Sequence, residues 1–432
     1  MRRAIRLFAL LAGLSVVVAA VAPSGAASAP PHKVRFAPER AFSPSSDDWE
    51  PAVIADSLGH VYLMTTRYGA KPACPNHCPD HFLLMRRSMD GGRTFGPPHR
   101  LCDCKGWNGQ NDPVFAVDDA GRLFAVWLNN FRVSFARSDD FGRTWTRYVR
   151  LDHGLGYSDK PWMAVSPSGR DVYVTFNGNP LGRPYTVASH DGGRTWSPPV
   201  AMATGGRYWF ATGAVVLPDG TVLTSQLADV QNYNGRIRLF VTRSTDGGAT
   251  WTRSLIGTSE DPPRCPRGYG CKLGYLGGQV VIAADDAGTA YVLFTSSVRD
   301  HGPAKVWFRR STDGGETWSA PRIVVSAPGV DHEFPMIAAT GHGDVRVAWM
   351  DDRTGRWNTF FRRSTDGGAH WRPETRLSNV TGNRPYKHPN GFQFPYGDYG
   401  QLAIDGAGRT WAAWGEGTSW NGPGSTWFTH SR

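Results

Sequence analysis

STDGGETW (Ser311–Trp318) is one of six versions of a single phrase. The others read SMDGGRTF (Ser88–Phe95), SDDFGRTW (Ser138–Trp145), SHDGGRTW (Ser189–Trp196), STDGGATW (Ser244–Trp251) and STDGGAHW (Ser364–Trp371). A phrase that recurs along a chain marks repeated supersecondary units, and everything else here is spaced around it. In the common form a strand-like run enters Asp-Gly-Gly and leaves through Thr-Trp, with Phe141, Phe95 and His370 as the departures. Glycine accepts positive φ at such a turn, and the aspartate accepts hydrogen bonds from backbone N–H groups a few residues on. The closing Trp is an apolar body able to pack between neighbouring sheets. Six carboxylates at equivalent places in equivalent repeats therefore read as turn staples, not as six catalytic groups or calcium ligands.

Upstream of each phrase lie two more strand-like runs. The first of these are PAVIAD (Pro51–Asp56), PVFAVD (Pro113–Asp118), PWMAVS (Pro161–Ser166), TGAVVL (Thr212–Leu217), VVIAAD (Val280–Asp285), PMIAAT (Pro335–Thr340) and GQLAID (Gly400–Asp405). Short continuous apolar runs of this kind suit strands buried on both faces. The glycines after them, Gly59, Gly121, Gly169, Gly220, Gly288, Gly343 and Gly408, mark seven units, one more than the phrase count. The seventh unit stops at STWFTHSR (Ser425–Arg432), where its third strand ends. KVRFAPERAF (Lys33–Phe42) is similar to the segments downstream of the other phrases. The expectation is an all-β ring of seven four-stranded blades over residues 30–432, closed by the N-terminal strand, which removes the exposed sheet edges of an open array. If that strand packed elsewhere, a six-bladed ring with an appended sheet would result.

The phrase resembles the Asp-box, or bacterial-neuraminidase repeat, of sialidase-like β-propellers. That superfamily contains sialidases, other glycoside hydrolases, lectins and non-enzymatic scaffolds, so the resemblance implies a fold and leaves the function open. Sialidases have six-bladed rings and carry Arg-Ile-Pro on the first inner strand, the arginine beginning a triad that grips the substrate carboxylate. The equivalent stretch here is Trp49-Glu50-Pro51, in which the proline matches and Glu50 takes the arginine's place. A carboxylate there repels a sialate, which argues against sialidase activity in the strict sense.

The segment MRRAIRLFALLAGLSVVVAAVAPSGAASAPP opens with Arg2, Arg3 and Arg6, continues through an apolar stretch, Leu7–Ala22, and reaches small residues at Gly25-Ala26-Ala27. This is the pattern of a secretory signal peptide over residues 1–29, cleaved near Ala27 or Ala29. The apolar run is short for a spanning helix, and no other segment could span a bilayer. The formal net charge of +10 becomes +7 once the three leader arginines are set aside. No Lys/Arg run occurs and no nucleic-acid motif is present, so nucleic acid is not an expected partner. An extracellular glycan is, and a monomer is expected. The six cysteines suit an oxidising compartment. Cys265 and Cys271 bracket one loop, while Cys74, Cys78, Cys102 and Cys104 are expected to cross-link around the first repeat. A zinc site from these four with His77 is the alternative, although C-x3-C with C-x-C is not a usual finger spacing.

In such a ring the Asp-boxes and glycine turns lie on one face. The longer connections, residues 67–81, 102–112, 258–278, 379–399 and 415–424, lie on the other. Long loops on one face of a rigid scaffold are the usual place for binding. Aligning the inner strands brings Asp48, Glu50, Asn111, Asp112, Asp159, Lys160, Trp209, Gln279, His332, Glu333, Asp398 and Tyr399 to this mouth. A glycosidase needs two carboxyl groups in different protonation states. Glu50, Asp112, Glu333 and Asp398, with Tyr399 as a nucleophile, are therefore the catalytic candidates. Asp48, Asp159, Arg207, Trp209, Asp352, Arg353 and Arg384 are the candidates for substrate binding. WMDDRTG (Trp349–Gly355) and PYGDYGQLAID (Pro395–Asp405) resemble recurrent segments of bacterial sialidase-like repeat proteins. No cofactor motif is present; a calcium site would have to come from Asp351, Asp352 and Asp398, without an EF-hand-like loop. The reading is a secreted glycoside hydrolase acting through mouth carboxylates, with a non-catalytic carbohydrate-binding or protein-interaction propeller as the alternative.

Overall fold

The computed structural model describes residues 32–43, 47–68, 81–101, 109–180, 182–203, 208–228, 236–261, 263, 277–355, 357–378, 399–417 and 424–432. Lys33–Arg432 form one compact unit. The leader segment and all six cysteines lie outside the described residues.

Seven antiparallel sheets of four strands each make up the unit, in the blade arrangement the turn glycines predict. Blade I runs Asp47–Ala55, Val61–Tyr68, His81–Ser88 and His99–Arg100. The inner strands of blades II to VII are Gln110–Val117, Ser158–Val165, Trp209–Val216, Val280–Ala284, His332–Thr340 and Gln401–Ile404. The outer strand of blade VII is Arg40–Ala41, in register with Phe428 and Trp427 of the C-terminal strand Gly424–His430. A further bridge, Phe36 to Ser431, extends that closure. The seven-bladed ring closed by its N-terminal strand is thus the observed topology, and the six-bladed alternative is excluded.

Each Asp-box is the staple its sequence implies. In blade V, Ser311 Oγ donates to Asp313 Oδ1 (2.6 Å) and accepts from Gly315 N (2.8 Å), while Thr317 N donates to Asp313 Oδ1 (3.0 Å). These bonds from Ser311 and Thr317 hold the Asp313 carboxyl down at about 2, and those from Thr250 hold Asp246 likewise at about 2. In blade VI, His370 replaces the threonine, and its Nδ1 lies 2.7 Å from Asp366 Oδ2. The second glycine of four boxes, Gly92, Gly193, Gly248 and Gly368, faces an aromatic ring of the preceding blade, while Gly142 and Gly315 face Met85 and Leu223. At Gly92, with φ +79°, a Cβ would fall 1.9 Å from the Trp411 ring, so a side chain is barred by both space and backbone conformation.

Arginines immediately before four of the boxes tie their blades to the next one round. Arg87 donates to Phe141 O (3.0 Å), Arg137 to Gly192 O (2.8 Å), Arg243 to Gly314 O (2.9 Å) and Arg310 to Gly367 O (3.3 Å). Part of the chain's positive charge is therefore committed to holding the ring together. The second strand of each blade is the most deeply buried; Trp127, Trp349, Trp411 and Trp414 on those strands are fully buried. The inner strands surround an axial cavity of about 620 Å³ walled by residues such as Val53, Ala116, Ala214 and Ala403.

Candidate functional site

Four inner strands begin with the same irregularity. A residue before proline takes positive φ, and the pairing with the second strand slips there: Glu50 (φ 57°), Asp112 (51°), Lys160 (47°) and Phe334 (53°). Proline has no N–H for the ladder, and a bulge absorbs the extra residue. Left-handed backbone at a non-glycine residue is uncommon, and here it sets how the mouth side chains are aimed.

A continuous polar network crosses from blade I to blade IV. Thr66 Oγ1 donates to Glu50 Oε2 (2.5 Å), and Asp112 N donates to the same oxygen (2.8 Å). Lys160 Nζ lies 3.1 Å from Asp112 Oδ1, a largely buried ion pair. Lys160 N donates to Asp159 Oδ1 (2.9 Å), while Tyr157 OH and Tyr208 OH each donate to Asp159 Oδ2 at 3.1 Å. The two phenol oxygens are themselves 3.0 Å apart. Burial pushes the Asp159 carboxyl up to about 6, against the pull of Lys160 and with the repulsion of Asp112 added. Asp159, Tyr157 and Tyr208 are partly exposed, whereas Glu50 and Asp112 are 2% and 3% exposed. Of these, Asp159 is the partly exposed residue whose carboxyl, itself enclosed, is raised towards neutral titration.

Blade VI carries a second acidic group of a different character. Glu333 is fully buried, accepts from Thr295 Oγ1 at 3.1 Å, and burial holds its carboxyl well above the ordinary range. Asp331, accepting from Ala304 N at 2.8 Å, is pushed up to about 7 by burial. His332 sits between them, its Nδ1 2.8 Å from Ala304 O, and burial lowers its basicity.

The other binding candidates are committed within the fold. Asp48 is buried in a two-pronged pair with Arg67. Arg353 is clamped by Asp351 (2.9 Å) and Glu374 (2.6 Å) and lies 4.0 Å over the Phe360 ring. Asp352 accepts from Asp331 N (3.0 Å), so the ion pair in this loop joins Arg353 to Asp351 and not to Asp352. Both Asp351 oxygens receive donors, Oδ2 including Trp349 Nε1 at 2.9 Å, which leaves little of it for a calcium ion. Trp209 is 4% exposed, packed on Phe240 with the Arg253 guanidinium 5.8 Å away, and offers no face to a sugar. Arg207, Arg384 and Asp398 lie outside the described residues. Tyr399 is partly exposed and meets Trp162 edge-on at 5.7 Å. For a metal, Asp261, Asp300 and His301 bring three candidate ligand atoms within 4.8 Å of one another, a grouping that surface acids also form without an ion.

Sequence reasoning missed Tyr157 and Tyr208. Tyr157 stands two residues before Asp159, a spacing that puts both on one side of an extended segment. Tyr208 neighbours Trp209, and alternation sends the two rings to opposite sides. Alternation along the segment is the signal that separates Tyr208 from the buried Trp209.

Fold and site together define a seven-bladed Asp-box propeller with a polar, tyrosine-clasped carboxyl at its loop-bearing mouth. The BNR repeat-like domain model matches residues 30–263, and a BNR/Asp-box repeat model matches 309–320. The chain belongs to the BNR repeat-like domain family. A curated relative, the sialidase of Micromonospora viridifaciens, is 23% identical over 300 residues, covering 59% of this chain and 43% of the relative. The chain thus spans less than half of that protein's length. Among solved structures, an ulvan lyase (a polysaccharide lyase) superposes with a TM-score of 0.56 at 12% identity over 91% of this chain and 95% of its own. A Dyadobacter fermentans protein of unknown function gives 0.54 at 16% identity, over 92% and 99%. At these identities the structural likenesses establish the fold alone.

Proposed function

We propose that the protein is a secreted glycan-cleaving enzyme, a glycoside hydrolase whose acid is Asp159. The observation that carries this reading is the Asp159 carboxyl, on a partly exposed mouth residue, raised to about 6 by burial and held by two tyrosine hydroxyls at 3.1 Å. An acid of that strength is half protonated near pH 6 and can give its proton to a glycosidic oxygen as the C–O bond breaks. On the adjoining inner strand, Asp112 pairs with Lys160 Nζ at 3.1 Å and, buried itself, fixes that lysine beside Asp159. The sialidase relative and the ulvan lyase neighbour act on glycans by their names, which supports the substrate class. The leader sequence supports export, and no helix among the described residues is long and apolar enough to cross a membrane.

The test is to incubate the protein with sialosides, uronides, neutral aryl glycosides and uronate-containing polysaccharides, measuring reducing ends and unsaturated products separately. Reducing-end release without ultraviolet-absorbing products supports hydrolysis. Unsaturated ends would replace it with a lyase reading. Binding on a glycan array with no cleavage of any kind would establish the non-catalytic alternative.

A further inference from the structure

Phe131 has an unusual backbone for its residue type. In blade II the second strand, Leu123–Asn129, returns as the third, Val133–Ser138, through the shortest such connection of the seven blades. Asn129 N donates to Arg132 O (2.9 Å), and the two residues at the tip, Asn130 and Phe131, have φ 57° and 51°. Positive φ at both central residues is the two-residue hairpin turn that favours Asn-Gly. Asparagine suits the first place. A bulky aromatic at the second is an outlier, and such outliers persist where the surroundings hold them. Phe131 is held by the segment that leads to Asp159. Its carbonyl accepts from Ser158 N (3.0 Å), and its ring stacks on that of Tyr157, with centroids 5.4 Å apart and planes 24° from parallel. Asn130 N anchors the turn on Gly109 O (2.9 Å), at the entry to the inner strand of the same blade. Tyr157 and Ser158 are the two residues before Asp159, and Tyr157 OH is one of its two phenol donors.

We propose that Phe131 is a positioning residue of the mouth: from its strained turn it orients Tyr157 and, through that phenol, the carboxyl of Asp159. The proposal rests on the reading of Asp159 as the acid and names a residue that prepares it. A ring stacked on Tyr157 limits the swing of the phenol, while the bond to Ser158 N fixes the start of the strand that carries Asp159. One residue thus constrains both the donor and the acceptor. Glycine would suit the turn and keep the backbone bond, but it would forfeit the stack. Phe131 also packs against the apolar core of blades II and III, so lost packing has to be separated from lost positioning. Among the described residues, the titratable groups around Asp159 are Tyr157 and Lys160 from its own segment, Tyr208 from the approach to blade IV and Asp112 from blade II. A change at Phe131 leaves all four in place.

The test reads Asp159 directly, by NMR of its carboxyl carbon through a pH titration of the full chain, with Asp159→Asn assigning the signal. Hydrogen bonds to a carboxylate favour its charged form, so loosening Tyr157 raises the midpoint. Phe131→Leu, which keeps apolar bulk and loses the stack, should raise it by about half a pH unit or more, and Phe131→Gly by at least as much. Phe131→Tyr, which keeps a ring to stack, should restore the parent midpoint. The leucine and tyrosine variants keep the test decisive should the glycine variant fold poorly. On a cleaved glycan, Phe131→Leu should lower kcat about tenfold with KM within about twofold of the parent's, and the alkaline limb of activity should move up with the midpoint. A midpoint unchanged in both the leucine and glycine variants overturns the proposal, whatever happens to their melting temperatures. A fall in the midpoint overturns it too, because the ring would then serve to keep water from Asp159. A raised midpoint with no glycan cleaved sinks the hydrolase reading and sustains the positioning role. Cleavage that needs Asp159 but not the ring of Phe131 does the reverse.

Discussion

The two faces of the ring are built on opposite principles. On the Asp-box face, six turns use the same atoms in nearly the same way, down to Ser Oγ accepting from the second glycine at 2.8–2.9 Å in every copy. On the mouth face the equivalent position holds Glu50, Asp112, Lys160 and Phe334, three different chemistries on one shared bulge. Repetition marks what each blade needs in order to be a blade. Divergence on an identical backbone marks what the molecule as a whole uses. A residue's place in the repeat thus separates structure from function more sharply than its charge does.

That contrast can be broken at either face. The largest effect is expected at the mouth: Asp159→Asn should lower kcat/KM on a cleaved glycan about 10²- to 10⁴-fold, the range of a lost general acid. Its melting temperature should stay within a degree or two of the parent's. In the unmodified protein, activity should decline as pH rises through about 6, where Asp159 loses its proton. A large melting loss together with an unshifted pH profile would place Asp159 among the structural residues.

Next, Gly92→Ala on the opposite face should cost about 3 kcal/mol or more of stability, because its methyl would fall 1.9 Å from the Trp411 ring. Gly59→Ala, at φ +91° with nothing within 4 Å, isolates the backbone contribution and should cost only about 1 kcal/mol. Equal losses in urea melts would mean that the box glycines are there for turn conformation alone.

A smaller effect concerns acid. Asp246 and Asp313 titrate in the fold at about 2, below the value near 4 of an unfolded chain, so they bind fewer protons folded than unfolded. Their contribution is complete above about pH 4 and is lost as pH falls towards 2. Thermal melts from pH 7 to pH 2 should be level and then drop in that window, less steeply in Asp313→Asn, whose own cost at pH 7 should be at most about 1 kcal/mol. The smallest change expected is His370→Thr, which restores the common box residue and should move stability by no more than about 0.5 kcal/mol.

The fold was legible because the boxes, the turn glycines and the unfinished seventh unit all count blades, and each is a short-range signal with a fixed local geometry. The mouth was legible only as a list of residues. Aligning strands on their glycines found Glu50, Asp112 and Asp159 together, but positive φ at Glu50 and Asp112 turns those two carboxyl groups into the interior. Arg353 shows the same limit: an arginine beside two aspartates in a mouth loop looks like an anion site, yet Asp351, Glu374 and Phe360 consume it. Which charges are already paired depends on contacts between distant segments, such as Lys160 with Asp112, and spacing along the chain does not carry that information.

The closure of blade VII has a temporal consequence. Thr429 donates to Ala37 O across 392 positions of sequence, so the first strand of the propeller cannot find its place until the last has emerged from the ribosome. Until then the growing chain carries an unpaired outer edge on the far blade and an orphan strand at its start. Contacts of such long separation slow folding and prolong the time at risk of mispairing. A copy interrupted before Gly424 would lack the strand that receives Arg40 and Ala41. The ring therefore closes only in a polypeptide that already includes the strand Gly424–His430.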